Sequence, residues 1–529
     1  MNAADDFGGV FHLGKATYKI VMTDSSQNFE RFLIETESAN IVPVIETLPA
    51  DLLTPLAVYL KISHSADYSF LLESVEGGEN LARYSFVGAN PEMIVSGNGK
   101  TTTVKTSNRK KKIDISLFDF LRQHFDGCKM SDTENLPAFV GGAIGYFGFS
   151  CAGWFEKSLL QTREKNDDAL FMFYRTVIAF DHVKQVIKII SLVFVDEAEG
   201  GEEKLKNLYE NAFVENEKLR IRLENQPIVL PESKVQSPKS KEVKSNWERP
   251  RFENSVREIK ELINAGECYQ VVLSQCFTRK TNASPVSIYR ALRSLNPSPY
   301  MFLLQTGKKS IVGASPEMLI RCQERKLEYR PIAGTRRRGK TPDEDARLAE
   351  EMRNDAKEVA EHLMLVDLGR NDLGRVAKFG SVTVENLMSV EKYSHVQHLV
   401  SYLKADLRDE FDRFDALAAC FPAGTVSGAP KVRAIEIIQN LEPTMRGIYA
   451  GAVGYIDYSG NLDVCIAIRT LVLENGEAKI QAGAGIVADS VPAHEFDETV
   501  NKAKALLKTI EIAEAGNIGI LHTLSAKRD

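Results

Sequence analysis

A chain of 529 residues, 43% hydrophobic and 26% charged, has a soluble globular composition rather than a disordered or fibrous one, and at about 150 residues per domain it holds one large interwoven domain or two to three ordinary ones. Its net charge of -6 argues against general affinity for nucleic acid, which counterion release confers on basic surfaces. The scattered cysteines lack a CxxC pair and zinc-spaced histidines, and no signal-peptide core or long apolar run occurs, so a cytoplasmic protein is expected.

In chain order, residues 13–190 alternate strand-like runs (YSFLLESV, RYSFVGANPEMIVSG, QVIKIISLVFVD) with short helical patterns, and residues 200–225 read as a charged helix. Residues 224–250, rich in Pro, Ser and Lys and without apolar periodicity, read as a linker or surface excursion. A helix with Val256, Ile259 and Ile263 on one face follows, ended by Gly266 and succeeded by a strand. One long helix is expected from about Asp343 to Leu368, with Leu348, Met352, Ala356, Val359 and Leu363 as its apolar stripe. A final helix is expected from about Glu495 to Ile512.

The glycine-rich stretch FPAGTVSGAPK has the outline of a phosphate loop but fails its spacing, because the second required glycine falls on Ala429 and Pro430 precedes Lys431. It suits a tight turn aiming Thr425 and Ser427 into a cleft, with Pro430 at a helix N1 position, and equally a helix-capping turn without a ligand. Gly483, Ala484 and Gly485 interrupt a strand, either to let a carboxylate approach the main chain or as a β-bulge. In NLDVCIAIRTLVL, alternation puts Arg469 on one face with Asp463, Cys465 and Ala467. The guanidinium is then a carboxylate fork beside small residues, or a partner of Asp463. Glu358 and Glu361, and Glu495 and Glu498, lie one helical turn apart. Two glutamates from separate helices suit Mg²⁺, although each also suits a solvated face or an i,i+4 lysine pair. His395 and His398 are candidates for chemistry or for a satisfied core histidine.

Taken together, IAGTRRRG (332–339), EHLMLVDLGRNDLGRV (361–376), VQHLVS, PAGTVSGAPK, YAGAVGY (449–455), GAGIVADS and DETVNKA (497–503) resemble the chorismate-utilising enzymes, most closely their anthranilate synthase component I branch. The likeness covers the second half through seven ordered motifs and reaches the first half through LLES. It implies a large α/β (α+β) fold of two packed, antiparallel-rich sheets with helices outside and the two halves interleaved. Residues 1–223 would form a regulatory part with tryptophan-site and partner contacts, 251–515 the catalytic domain and 516–529 a tail.

The resemblance also implies roles. Glu361 and Glu498 match Mg²⁺ ligands, and Gly334, Thr335, Tyr449, Arg469, Gly483, Ala484 and Gly485 match chorismate contacts. Glu317 matches a general acid and His398 a catalytic histidine, with Thr425 at an active-site turn. The implied reaction aminates chorismate at C2 with loss of the 4-hydroxyl and then eliminates pyruvate to leave anthranilate. Gln270 stands where water-adding relatives carry a lysine base, and Ala333 where C4-aminating relatives carry a nucleophilic lysine. None of the cysteines has an amidotransferase surrounding, so ammonia is expected from a separate glutamine amidotransferase subunit. Glu73, Ser74, Pro299, Tyr300, Met301, Val453, Gly454 and Tyr455 match a site for L-tryptophan as feedback inhibitor. The alternatives are an enzyme that stops at the aminated intermediate, and a non-catalytic regulatory subunit.

Overall fold

Strand periodicity sets the layers. Along the strand Tyr300–Thr306, Phe302 and Leu304 face one apolar cluster while Met301 and Leu303 face another. Phe70 and Leu71, and Phe86 and Val87, divide in the same way on neighbouring strands, as the two-residue period requires. The computed structural model describes residues 25–75, 83–131, 136–159, 167–230, 242–393 and 396–516. The middle of the expected linker, His395 and nearly all of the expected tail lie outside them.

Among the described residues two 12-stranded sheets carry the fold. The first runs in the order Ile41–Pro49, Val186–Phe194, Thr176–Asp181, Tyr84–Ala89, Tyr68–Glu73, Tyr300–Thr306, Lys309–Ser315, Thr470–Glu474, Glu477–Ile486, Gln270–Lys280 and Val243–Ser245, with Gly428–Ala429 also paired to Gln270–Lys280. The second runs Ile332–Arg337, Val396–Asp406, Lys326–Tyr329, Met318–Gln323, Leu462–Ile466, Ala452–Asp457, Gly142–Phe147, Ala169–Tyr174, Met93–Gly97, Thr102–Thr106 and Lys110–Ile113, with Thr383–Lys392 on Val396–Asp406. The sheets pack face to face around one large cluster that takes Phe70, Phe86, Leu304 and Ile311 from the first and Phe171, Phe173, Ile320 and Ile456 from the second. Helices Pro55–Ser63, Pro285–Leu295 and Pro492–Ala515 cover the other face of the first sheet through Val58, Ile288, Tyr289, Leu506 and Ile510. Pro55–Ser63, Pro285–Leu295 and Pro342–Asn354 each start at a Thr-Pro or Ser-Pro pair. The hydroxyl of Thr54, Ser284 or Thr341 accepts an amide three residues on, and the proline takes the first helical position.

The halves of the chain interleave in both sheets. Glu73 pairs with Met301 at the seam of the first, and Phe147 with Ala452 at the seam of the second. The last part of the expected linker is also built in, since Val243–Ser245 pairs with Phe277–Arg279 and Trp247 is buried.

The expected long helix is instead two, Pro342–Asn354 and Ala356–Gly374. Asp355 breaks it, in extended conformation, and its carboxylate accepts from Lys357 N at 3.0 Å and Glu358 N at 3.3 Å. The expected apolar stripe ends there. Met352 is buried, whereas Leu363 is 44% exposed.

Candidate active site

The chain crosses between the sheets twice, side by side. Lys309–Ser315 belongs to the first sheet and Met318–Gln323 to the second, and Glu317 sits at the crossing. Leu462–Ile466 belongs to the second and Thr470–Glu474 to the first, and Arg469 sits at that crossing with φ 49°. Ile466 N donates to Glu317 O at 3.0 Å and Ala314 N to Arg469 O at 3.2 Å, so the crossings are tied together. The simple alternation expected from Asp463 to Arg469 therefore stops at Ile466, because the strand leaves its sheet. The alternative pairing of Arg469 with Asp463 is also absent. Asp463 accepts from Arg321 Nε at 2.8 Å and from the Tyr300 hydroxyl at 3.0 Å. Arg469 forms no ion pair among the described residues, and its guanidinium and Glu317 stabilise one another's charge.

Glu317 is buried. Burial raises its pKa from 4.5 to about 8, against the opposing pull of the Thr425 hydroxyl and the Arg469 charge. Thr425 lies in the short turn Gly424–Val426, and its buried Oγ1 approaches the Glu317 carboxyl without closing a hydrogen bond of good geometry. The neighbouring hydroxyl points elsewhere than expected: Ser427 is wholly buried and donates to Ala423 O at 2.8 Å, closing the turn. Pro430 is the N-cap and Lys431 the first residue of helix Lys431–Leu441. Lys431 Nζ is spent on Asp372, 2.7 Å away, which disposes of the phosphate reading.

His398 pairs across the ladder with Thr335, and its Nδ1 lies 2.9 Å from Gly334 O and 3.1 Å from Thr335 Oγ1. A carbonyl only accepts, so Nδ1 carries the proton and Nε2 keeps its lone pair. Burial and the charges of Arg469 and Arg330 hold its pKa below the ordinary 6.5, so the imidazole is neutral. Gly334 makes this possible at a bulge, with φ 64° and a register shift between Ala333 and Thr335. A Cβ there would lie 3.3 Å from both Glu358 Oε2 and Met352 Sδ.

The strand holding Gly483, Ala484 and Gly485 is regular there, paired in unbroken register with Ser274, Leu273 and Val272, so the bulge alternative is excluded. The glycines clear space for side chains. A Cβ on Gly483 would sit 2.8 Å from the Tyr449 hydroxyl, and one on Gly485 2.4 Å from Gln270 Nε2. On its other side this strand is paired with Thr470–Glu474 only as far as Ile480, which leaves the edge beside the Arg469 crossing open. Gln270 is buried, with Oε1 unpartnered, and Ala333 is buried against the Val396–Asp406 strand.

The acidic turns of helices Ala356–Gly374 and Pro492–Ala515 lie within electrostatic reach of each other. Burial, then the charge of Glu358 and more weakly that of Glu498, raises the pKa of Glu361. Glu358 is engaged by Arg336 at 2.8 Å and Glu498 by Lys502 at 2.6 Å, and Lys502 Nζ also donates to Gly483 O at 2.9 Å. Among the described residues no three His, Cys, Asp or Glu side chains close into a cage. Two hard carboxylates whose like charges a cation would relieve fit Mg²⁺, which keeps part of its shell for water and substrate oxygens.

The residues matched to a tryptophan site also meet. Glu73 pairs with Met301, accepts from the Tyr289 hydroxyl and lies 3.3 Å from Arg293 Nε. Ser74 Oγ is buried without a partner. Pro299, Met301, Val453 and Tyr455 are buried. Tyr455 pairs with Asp463, the carboxylate that takes the Tyr300 hydroxyl, and Gly454 lies beside it in the same strand.

Sequence reasoning missed a layer behind His398. Arg330, 1% exposed, donates to Glu391 and, at 2.9 Å, to the Tyr393 hydroxyl. The Tyr402 hydroxyl donates to Glu391 at 2.7 Å, and the Tyr393 ring stands edge-on to His398 at 5.6 Å. No spacing rule exposes a buried arginine whose partners lie on another strand. Lys502 was visible only as a helical pair of Glu498.

An acid, an imidazole and an arginine without an ion pair among the described residues, within electrostatic reach of one another where the chain crosses between two sheets, suit an anionic small molecule. Comparison with known proteins gives the chain a family. A family model described as chorismate binding enzyme matches residues 67–508. Anthranilate synthase component 1 of Acetivibrio thermocellus is 44% identical over 503 residues, covering 92% of this chain and 98% of its own, and that of Aquifex aeolicus is 44% identical over 495 residues, covering 90% and 96%. The crystal structure of anthranilate synthase component I from Streptococcus pneumoniae superposes with a TM-score of 0.70 at 35% identity, covering 87% of this chain and 99% of that one. The menaquinone-specific isochorismate synthase of Escherichia coli, with a TM-score of 0.65 at 19% identity, shares the fold. The chain belongs to the chorismate binding enzyme family, among its anthranilate synthase component 1 members.

Proposed function

We propose that the protein is the aminating component of an anthranilate synthase, converting chorismate and ammonia to anthranilate and pyruvate in the first committed step of tryptophan biosynthesis, with Mg²⁺ as cofactor. The observation that carries this reading is the pairing of a protonated Glu317 with an ion-pair-free Arg469 on adjacent sheet crossings, near a neutral His398. The 44% identity to proteins of that name supports it.

Chorismate is a dicarboxylate. Arg469 and main-chain N–H groups on the open edge at Gly483–Gly485 suit one carboxylate, with Thr335 and Tyr449 flanking it. Mg²⁺ held by Glu361 and Glu498 would neutralise carboxylate charge. Ammonia forms a bond to C2 while the 4-hydroxyl leaves. Hydroxide departs poorly, and Glu317, protonated at neutral pH, supplies the proton that releases it as water. Thr425 Oγ1, beside that carboxyl, orients it. Aromatisation then removes the proton on C2 as the enolpyruvyl C–O bond breaks, and the Nε2 lone pair of His398 is suited to accept that proton. Gln270 and Ala333, in place of the two lysines of relatives with other chemistry, leave ammonia as the nucleophile and C2 as its target.

Ammonia comes, on this reading, from a glutamine amidotransferase partner, as the designation component 1 of the relatives suggests. Residues 1–223 serve regulation and partner contacts, residues 251–515 catalysis, and the enzyme acts in the cytoplasm under feedback by L-tryptophan bound at Glu73, Ser74, Pro299, Tyr300, Met301, Val453, Gly454 and Tyr455. Filling the space at the Ser74 hydroxyl by Ser74→Leu should raise the tryptophan concentration for half-inhibition by about tenfold or more, the order expected for losing one buried polar contact. An unchanged inhibition curve would remove Ser74 from that site. The activity itself is tested with purified chain, chorismate, Mg²⁺ and ammonium. Anthranilate fluorescence together with pyruvate is the expected result, an aminated product without pyruvate would mean the enzyme stops at the intermediate, and no product would leave only a regulatory subunit.

A further inference from the structure

Successive residues of helix Ala356–Gly374 point in different directions. Glu361 feels the charges of the acidic turn of Pro492–Ala515, whereas His362, completely buried, faces the second sheet. There its Nε2 lies 2.6 Å from Ser401 Oγ. Ser401 belongs to the strand that also carries His398, and its hydroxyl accepts from Met388 N at 2.9 Å. Met388 lies in the irregular part of Thr383–Lys392, where Asn386 and Met388 have φ of 50° and 52°. One hydroxyl thus joins the helix of a candidate metal ligand, the strand of the candidate imidazole and a distorted edge strand.

A leucine or methionine would fill the same space without a polar cost. His362 Nδ1 is buried with no hydrogen-bond partner, and an unsatisfied buried polar atom destabilises a core. The ring is therefore a poor choice for packing alone. Its value lies in the directional bond to Ser401, which resists rotation of the helix about its own axis. A side-chain tip about 6 Å from a helix axis moves about 1 Å for a rotation of about 10°. A misplacement of about 1 Å can cost about 100-fold in rate.

We propose that His362 is a positioning residue, whose bond to Ser401 sets the rotation of the helix and thereby where the Glu361 carboxylate meets Glu498. This rests on the metal-site reading given above. The test is Mn²⁺ binding, followed by electron paramagnetic resonance on the full chain with chorismate present and ammonium withheld. His362→Met keeps apolar volume and removes the bond, and it should raise the half-saturating Mn²⁺ concentration about tenfold, the range found for groups that orient metal ligands. Ser401→Ala removes the bond from the other side and should do the same, which keeps the test open if His362→Met does not fold. His362→Gln, which returns a polar group near the Nε2 position, should recover to within about threefold of wild type. Equal half-saturation in the wild type and the folded bond-deleting variants, whatever their thermal midpoints, would overturn the proposal. A wild-type chain with no saturable Mn²⁺ site would instead overturn the metal-site reading, and the proposal with it.

Discussion

Glu317 is a carboxyl group that its surroundings keep protonated at neutral pH. If the proposed roles hold, its pKa of about 8 and the depressed pKa of His398 set opposite limbs of a pH profile. The acid works while protonated, so kcat/KM should fall as pH rises through about 8. The imidazole works while neutral, so the acidic limb should lie below 6.5. Glu317→Gln should abolish the alkaline limb along with most of the rate. A profile flat from pH 7 to 10 in the unaltered chain would contradict the assignment of Glu317 as acid. Residue types and spacing in the sequence made Glu361, His398, Arg469 and Glu498 candidates, and the family resemblance assigned their expected roles and added Glu317. Their electrostatic states were not legible there, because burial and the approach of Arg330, Thr425 and Arg469 depend on strands far apart in the chain.

At the scale of elements, local rules succeeded where the chain is governed by its neighbours in sequence. Helix Arg249–Asn264 ends before Gly266 with φ 81°, as its apolar spacing and glycine predict, and Pro492–Ala515 covers the expected last helix. They failed where tertiary structure overrides periodicity. Asp355 splits a continuous helical pattern by capping its second half, and the alternation through Arg469 runs on in sequence although the strand has left its sheet. Both failures fall at the candidate site, where the break at Asp355 begins the helix that carries Glu361 and the sheet crossing carries Arg469. Gly334 lies at a third irregularity, the bulge that hands its carbonyl to His398. Gly334→Ala places a Cβ on a left-handed backbone and should cost about 1–2 kcal/mol of stability. It should also lower kcat by more than this stability loss alone explains, because the imidazole anchor shifts. A variant with full kcat at saturating chorismate would separate the bulge from catalysis.

At the scale of the whole molecule, each sheet needs both halves of the chain. Tyr300–Thr306 takes one of its two neighbours from Tyr68–Glu73, and Ala452–Asp457 one of its two from Gly142–Phe147. No sequence periodicity reveals such partners, and here the interleaving was foreseen only through the family resemblance. Residues 251–516 expressed alone should therefore lack a cooperative thermal transition, and co-expression with residues 1–230 should restore one. A cooperative transition in the isolated second half would contradict the interleaved core. On the proposed reading, Glu317 and Arg469 at two adjacent sheet crossings, with His398 nearby, serve one reaction, amination of chorismate followed by release of pyruvate. The most direct measurement supplies ¹⁵N-ammonium, chorismate and Mg²⁺ to the purified chain and follows products by mass spectrometry. The account predicts ¹⁵N-labelled anthranilate equimolar with pyruvate, and a loss of at least about 100-fold in Glu498→Gln at an unchanged thermal midpoint. Chorismate left unconsumed, or labelled anthranilate formed equally well by Glu498→Gln, would contradict it.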